Sequence, residues 1–234
     1  MKLKRVLLKL SGESLMGEKE FGIDAEHLGS FANQIKQIKN QKIELSIVIG
    51  GGNIFRGLAG TKIGVNRVKG DQMGMLATVI NSLALQSGLE NVGVKSKVYT
   101  AIRMEPFSDY YIKENAQKSL QDGYVNIIAA GTGNPYFTTD SAAALRALEL
   151  ESDVLIKGTK VDGVYSADPK KDKNAVKYEK LSYNEALEKR LNVMDMTAFA
   201  LCRDNNMPVI VFNITKPGNL EKVILGGNVG TLVH

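Results

Sequence analysis

The 234 residues carry a net charge of +5, with 44% apolar and 24% charged side chains and 23 glycines, the balance of an ordinary globular chain and not of a disordered or fibrous one. The 30 lysines and arginines are spread along the sequence and form no basic block, so the positive balance suits a phosphorylated small molecule better than nucleic acid. A single cysteine, Cys202, excludes an intrachain disulfide and a CxxC metal clip, fits a reducing cytosol and reads as a small buried apolar residue; no run reaches the ~18 apolar residues of a membrane span.

The opening MKLKRVLLKLSG has the charge of a secretory leader, but Lys9 breaks its apolar run and no small-residue cleavage site follows, so Arg5–Leu10 reads as a first strand. Helix Asp24–Asn40 follows, with Asp24 as N-cap, then strand Leu45–Ile49 and helix Gly70–Ser87 with Gly88 as its C-cap. Strand Lys97–Thr100, helix Ser108–Gln121, strand Tyr124–Ala129, helix Ser141–Glu149 and strand Val154–Lys157 come next. Helices Ser182–Arg190 and Ala198–Asn205, strand Val209–Asn213 and helix Leu220–Leu225 complete the order. Most strands lack polar alternation, which predicts burial on both faces and an α/β fold with a mostly parallel sheet. The longer irregular stretches Ser11–Gly22, Gly50–Lys69, Gly131–Asp140 and Thr159–Lys177 each follow a strand, at the edge where open α/β sheets place ligands.

Two histidines, His27 on a helix and His234 at the last position, leave no basis for a His-centred triad or a His-rich zinc site. GxxxxGK[ST], GxGxxG, HRD and DFG are all missing, so a phosphotransferase here would belong to another class. Lys9 ends the first strand beside Ser11 and Gly12, putting an ammonium and a glycine turn at the mouth of the sheet. Gly50, Gly51 and Gly52 let backbone approach a bulky anion, with Arg56 and Arg67 to follow. Asp71 either caps a helix or accepts hydrogen bonds from ribose hydroxyls. Gly131–Asp140 supplies hydroxyls and an amide suited to a base and sugar, although one of Thr138, Thr139 and Asp140 must cap the following helix. Lys157–Pro169 could hold adenine and ribose, while Asp162-Gly163 and Asp168-Pro169 are also ordinary turn chemistry; Asp195 is either a cap or a site residue.

Taken together, KLSGE at Lys9–Glu13, IGGGNIFRG at Ile49–Gly57, GDQMGMLAT at Gly70–Thr78, GTGNPYFTTD at Gly131–Asp140 and KVDGVYSADPKKD at Lys160–Asp172 resemble the bacterial uridylate kinases of the amino acid kinase family. The resemblance implies a three-layer α/β/α sandwich, residues 1–234 forming one amino acid kinase domain, and ATP-dependent phosphorylation of UMP to UDP on the route to CTP. It implies catalytic roles: Lys9 is expected to stabilise charge on the moving phosphoryl group, Arg56 to bridge the donor and acceptor phosphates, and Asp140 to orient Lys9 or magnesium. It implies ATP contacts at Lys9, Leu10, Ser11, Gly12, Gly52, Arg56, Thr159, Tyr165 and Asp168. UMP contacts are implied at Gly51, Asp71, Thr132, Gly133, Asn134, Pro135, Tyr136, Phe137, Thr138 and Thr139. A cytoplasmic homohexamer that uses Mg2+ with ATP and answers to GTP and UTP is implied as well, with no nucleic-acid or membrane partner. The stretch Gly17, Glu18, Lys19, Glu20, Phe21, Gly22 matches the activator loop, whereas Gln86 and Tyr124 stand where arginines are expected. Two other readings keep the same loops: a kinase with a carboxylate or carbamate acceptor, and a nucleotide-binding regulator without turnover.

Overall fold

The computed structural model describes residues 3–55, 64–169 and 171–234. Its strands are β1 (Arg5–Leu10), β2 (Glu44–Ile49), β3 (Ser96–Thr100), β4 (Asp109–Tyr110), β5 (Val125–Ala129), β6 (Val154–Thr159), β7 (Lys180–Leu181), β8 (Val209–Asn213) and β9 (Thr231–Val233). They form one sheet in the order β4-β3-β5-β2-β1-β6-β8-β9-β7, parallel throughout except for the β8–β9 pair. Helices α1 (Ala25–Asn40), α2 (Arg67–Asn91), α3 (Lys113–Gln121), α4 (Thr139–Glu149), α5 (Tyr183–Glu188), α6 (Met196–Asp204) and α7 (Asn219–Ile224) cover it, and a 3₁₀ turn spans Gly12–Leu15.

The side-chain alternation of β1 shows how the layers arise. Val6, Leu8 and Leu10 pack with Ile35 of α1, Leu85 of α2 and Leu220 of α7, while Leu7 points to the opposite face among Ala116 of α3, Ala143 of α4 and Phe199 of α6. Both faces of the central strands are therefore dry, which is why their sequences read as unbroken apolar runs. The result is a three-layer α/β/α sandwich. Lys9 shares the parity of Leu7, so it leaves the sheet on the α4 face.

Helix ends follow local chemistry. The Asp24 carboxylate accepts the His27 N–H at 3.0 Å, Ser182 and Glu185 form a reciprocal capping box, and Asp195 accepts the N–H groups of Thr197 and Ala198, both at 3.0 Å. Three expectations change. Gly88 lies inside α2, where a Cβ would come within 3.2 Å of Leu28 Cγ; the glycine admits α1, and α2 runs on to Asn91, with Gly93 turning at φ 78°. Asn66 caps α2 through the Lys69 N–H, which places Asp71 more than a turn inside the helix. Ser108–Gln121 is not one helix: Asp109 and Tyr110 add an edge strand, and helix begins at Lys113. Cys202 is buried, as expected. Among the described residues no helix is long and apolar enough to cross a membrane.

Candidate active site

Parallel strands bring their carboxyl ends to one edge of the sheet, and the side chains there converge. Lys9 on β1 and Lys157 on β6 are register partners. Two adjacent ammonium groups repel one another, and Asp140, in the first turn of α4, lies between them. Lys9 Nζ is 2.6 Å from Asp140 Oδ1, and Lys157 Nζ is 2.6 Å from Asp140 Oδ2, with side-chain exposures of 12%, 16% and 14% for Lys9, Lys157 and Asp140. Lys157 Nζ also donates to Val193 O at 2.9 Å. Burial alone would raise the Asp140 carboxyl, but the two ammoniums, Lys9 ahead of Lys157, hold it below the usual carboxylate range. Burial pushes the Lys157 ammonium down, and Asp140 opposes part of that shift. Asp140 thus bridges two lysines at the strand ends, and Asp195 also acts on Lys157, so the cluster offers lysine nitrogens to a phosphate from a largely buried position.

The glycine loops pack against each other and against α2 for steric reasons. A Cβ on Gly12 would come within 2.2 Å of Asn53 Oδ1 and 2.5 Å of Gly50 O, and one on Gly51 within 2.8 Å of Gly74 O and 2.7 Å of Ala77 Cβ. The loop after β1, the loop after β2 and the front of α2 can therefore touch only because side chains are missing at those positions. Leu10 is fully buried, so only its backbone is available to a ligand, and Ser11 Oγ accepts the Glu13 N–H at 3.3 Å to start the 3₁₀ turn.

An open cleft of about 530 Å³ lies between α2 and the loop that follows β5. Its walls include Gly51, Asp71, Thr132, Asn134, Phe137, Thr138 and Thr139. The chain enters it through two consecutive left-handed residues, Ala130 (φ 61°) and Gly131 (φ 60°), and Tyr136 is left-handed too, at φ 70°. A non-glycine residue holds that conformation at a cost and needs support from its surroundings. Asp71 gives it, accepting the Tyr136 N–H at 2.8 Å while Arg67 Nε holds the carboxylate at 2.8 and 3.0 Å. Thr78 Oγ1 accepts the Ala130 N–H at 2.8 Å and closes the same bend. Thr138 caps α4 and donates to Asp195, which also receives Ser141 Oγ at 3.1 Å. Gly133 packs on Ala101 and Tyr136 lies over the Arg67 guanidinium, so neither they nor Pro135 form the cleft wall.

A second cleft, about 790 Å³, is lined by Val161, Gly163–Pro169 and Lys189–Asn192. Tyr165 Oη donates to Asp162 Oδ1 at 2.6 Å; this bond raises the tyrosine and lowers the carboxyl. Thr159 closes β6 with its hydroxyl turned to Val161 O at 2.8 Å. Lys160 Nζ reaches Glu13 Oε2 at 2.9 Å and ties this loop to the 3₁₀ turn. The lysine–aspartate cluster adjoins both clefts: Asp140 directly follows Thr139 of the first, and Lys157 bonds the carbonyl of Val193, which directly follows Asn192 of the second.

The sequence pattern described as the Amino acid kinase family matches residues 4–213. The chain belongs to the amino acid kinase family. It is 58% identical over 233 residues to a protein of Phocaeicola vulgatus named uridylate kinase, covering 100% of this chain and 99% of that one. A protein of the same name from Bacteroides thetaiotaomicron is 56% identical at the same coverage. The solved structure of UMP kinase from Bacillus anthracis superposes with a TM-score of 0.97 at 41% identity, covering 100% of this chain and 97% of that one. That of UMP kinase from Ureaplasma parvum gives 0.94 at 42%, with 100% and 99% covered.

Within this family frame, the residues expected from sequence divide into groups. Lys9 and Asp140 meet at the centre, Gly12 packs on Gly50 and Asn53, seven of the ten expected acceptor residues line the first cleft, and Tyr165 and Asp168 line the second. Arg56 lies outside the described residues. The Gly17–Gly22 stretch stands apart from both clefts but touches the glycine loop: the Gly22 N–H donates to Asn53 O at 2.7 Å. His27 is an exposed helix residue beside Asp24, whose carboxyl is lowered to about 2 chiefly by the His27 backbone N–H. From sequence, Lys157 only opens a loop suited to adenine and ribose and is not paired with Lys9, and Thr78 and Asn81 have no role of their own. Lys157 carried a readable signal, since like Lys9 it is a lysine at the end of an otherwise apolar run.

Proposed function

We infer that this chain transfers the γ-phosphoryl group of ATP to UMP, forming UDP and ADP in pyrimidine nucleotide synthesis. The observation that carries the reading is the Lys9–Asp140–Lys157 cluster, set between two clefts at the strand ends. In the arrangement we propose, UMP occupies the α2 cleft and the adenosine of ATP the Tyr165–Asp168 cleft, so that their phosphates meet at the cluster. An oxygen of the UMP phosphate attacks Pγ in line, the new P–O bond forms, and the bond to the β-phosphate breaks with its electron pair leaving on ADP. The acceptor is already anionic near neutral pH, so no general base is required, which suits a site without histidine. The remaining obstacle is repulsion between phosphates. Lys9 and Lys157, Arg56 and backbone N–H groups of Gly12, Gly51 and Gly52 would offset it, while Asp140 holds the two ammoniums in place.

The donor set also bears on the metal. Asp140 has both oxygens in ion pairs, and among the described residues no group of three or more His, Cys, Asp or Glu is placed to hold an ion. This fits Mg2+ held mainly by the phosphate oxygens of ATP, where it would supply further charge neutralisation. We propose that residues 1–234 act as one domain in the cytoplasm. An exposed apolar stripe on α2, Met73, Leu76 and Ile80, recurs at helical spacing and supports self-association. Hexameric assembly and responses to GTP and UTP rest on the resemblance.

ADP release measured with UMP, CMP, aspartate, glutamate, acetylglutamate and carbamate tests the reading, with and without GTP or UTP. Turnover is expected with UMP. Turnover with a carboxylate or carbamate alone would move the chain to another branch of the family, and tight nucleotide binding without UDP would make it a regulator.

A further inference from the structure

Two asparagines 28 residues apart form a closed unit beneath the glycine loops. Asn53 is 2% exposed and Asn81 is fully buried. Asn81 Nδ2 donates to Asn53 Oδ1 at 2.7 Å and to Gly50 O at 2.7 Å; Asn53 Nδ2 donates to Asn81 Oδ1 at 3.0 Å and to Gly22 O at 2.8 Å. A carboxamide has two N–H donors, so all four donors of the pair are committed, two of them reciprocally and two to backbone carbonyls. Buried polar side chains in an apolar helix face are costly unless satisfied, and this pair is satisfied in one arrangement only.

The consequence runs through peptide geometry. In a trans peptide the carbonyl of one residue and the N–H of the next point in opposite directions. By drawing Gly50 O toward itself, Asn81 turns the Gly51 N–H away from the amide pair and keeps a carbonyl oxygen from swinging toward bound phosphate, which it would repel. Asn53 Oδ1 also fills the space that any side chain at position 12 would need, and so fixes how closely the loop after β1 approaches the loop after β2.

We propose that Asn53 and Asn81 are positioning residues for phosphoryl transfer. They touch no substrate and act through Gly12, Gly50 and Gly51 by setting the peptide orientations of the phosphate-binding loops. This deepens the function inferred above and rests on the placing of the phosphates at those loops. The pair is bonded to neither Asp71 nor the Thr132–Thr139 wall, but Gly51 lines the acceptor cleft, so its loss should fall mainly on the chemical step with a smaller effect on UMP binding.

The test is steady-state kinetics of full-length Asn81→Asp, a near-isosteric change that places an oxygen against Gly50 O. We expect kcat to fall by about tenfold or more, the range for a small misplacement of reacting groups, with KM for UMP raised by a clearly smaller factor. Combining Asn53→Ala with Asn81→Ala should lower kcat no further than the worse single change, as expected of a unit. Hydrogen exchange at the Gly22 N–H, which pairs with Asn53 O, should quicken in Asn81→Asp and report the loosened clamp independently of activity. A folded Asn81→Asp with unchanged kcat, or a loss confined to KM for UMP, overturns the proposal. If Asn81→Asp does not fold, Asn81→Ser is judged by the same criteria. Lys9→Met separates the levels: if it retains turnover, the phosphate placement is wrong, whereas an inactive Lys9→Met beside a fully active Asn81→Asp overturns the positioning role alone.

Discussion

The α2 cleft and the Tyr165–Asp168 cleft flank the same charged centre but are held in different ways. In the first, polar groups from distant parts of the chain hold one another: Asp71 fixes Tyr136, Thr78 fixes Ala130 and Asp195 fixes Thr138. In the second, distant groups hold only the base, where Thr231 accepts the Val164 N–H at 2.8 Å and Lys160 reaches Glu13; at the rim Tyr165 bonds Asp162, three residues away, and Ser166, Ala167 and Asp168 are exposed. A wall tied by long-range contacts is costly to deform and can reject a wrong acceptor, whereas an exposed rim can adjust to its ligand. The acceptor side is therefore where specificity is expected to reside, and the donor side where tolerance is.

Substitutions can break or sharpen that contrast. The largest effect belongs to the centre that both clefts share: Lys9→Met should reduce kcat by about 10²–10³-fold or more in the ADP-release assay, with the fold intact by circular dichroism. Next, Asp71→Asn should raise KM for UMP by about tenfold while KM for ATP stays within about twofold, since it loosens the acceptor wall alone. An equal rise in both constants would erase the distinction between the clefts. Tyr165→Phe, which removes a bond local to the donor loop, should raise KM for ATP by no more than about threefold, with UMP unaffected. The smallest effect is on acid stability. The folded carboxyl of Asp140 lies below its usual value of 3.8, so its stabilising contribution is present above that value and is lost as pH falls through the lower folded one. Thermal melts of wild type and Asp140→Asn should thus have a constant offset from pH 8 to about 5 that changes only in stronger acid.

The sheet was legible wherever a strand was buried on both faces, because an apolar run of five or six residues needs no partner to be recognised. Strands β4, β7 and β9 were not: two or three residues cannot display a period, and their pairing is dictated by neighbours far along the chain. Gly88 misled for a related reason, since its value to Leu28 of a crossing helix is invisible in local sequence. In the candidate site, Lys9, Asp71 and the Gly131–Asp140 loop stood out by composition. Asp140 was ambiguous between cap and site residue; Thr138 does the capping, which frees the Asp140 carboxylate for the two lysines. The Asn53–Asn81 pairing carries no periodicity or motif to expose it, and only the packing of α2 against the glycine loop reveals it.

Lys9 and Lys157 stand opposite each other across a parallel β-ladder, so the separation of their Cα atoms is an interstrand spacing, about 4.8 Å, set by backbone hydrogen bonds. The sheet thus serves as a ruler for the site. A slip of two residues between β1 and β6 would keep every side chain on its proper face, yet it would carry one ammonium roughly 6.6 Å along the strand and out of reach of Asp140. Insertions in the turn between α4 and β6 are therefore a route by which such a chain could stay folded and fall silent.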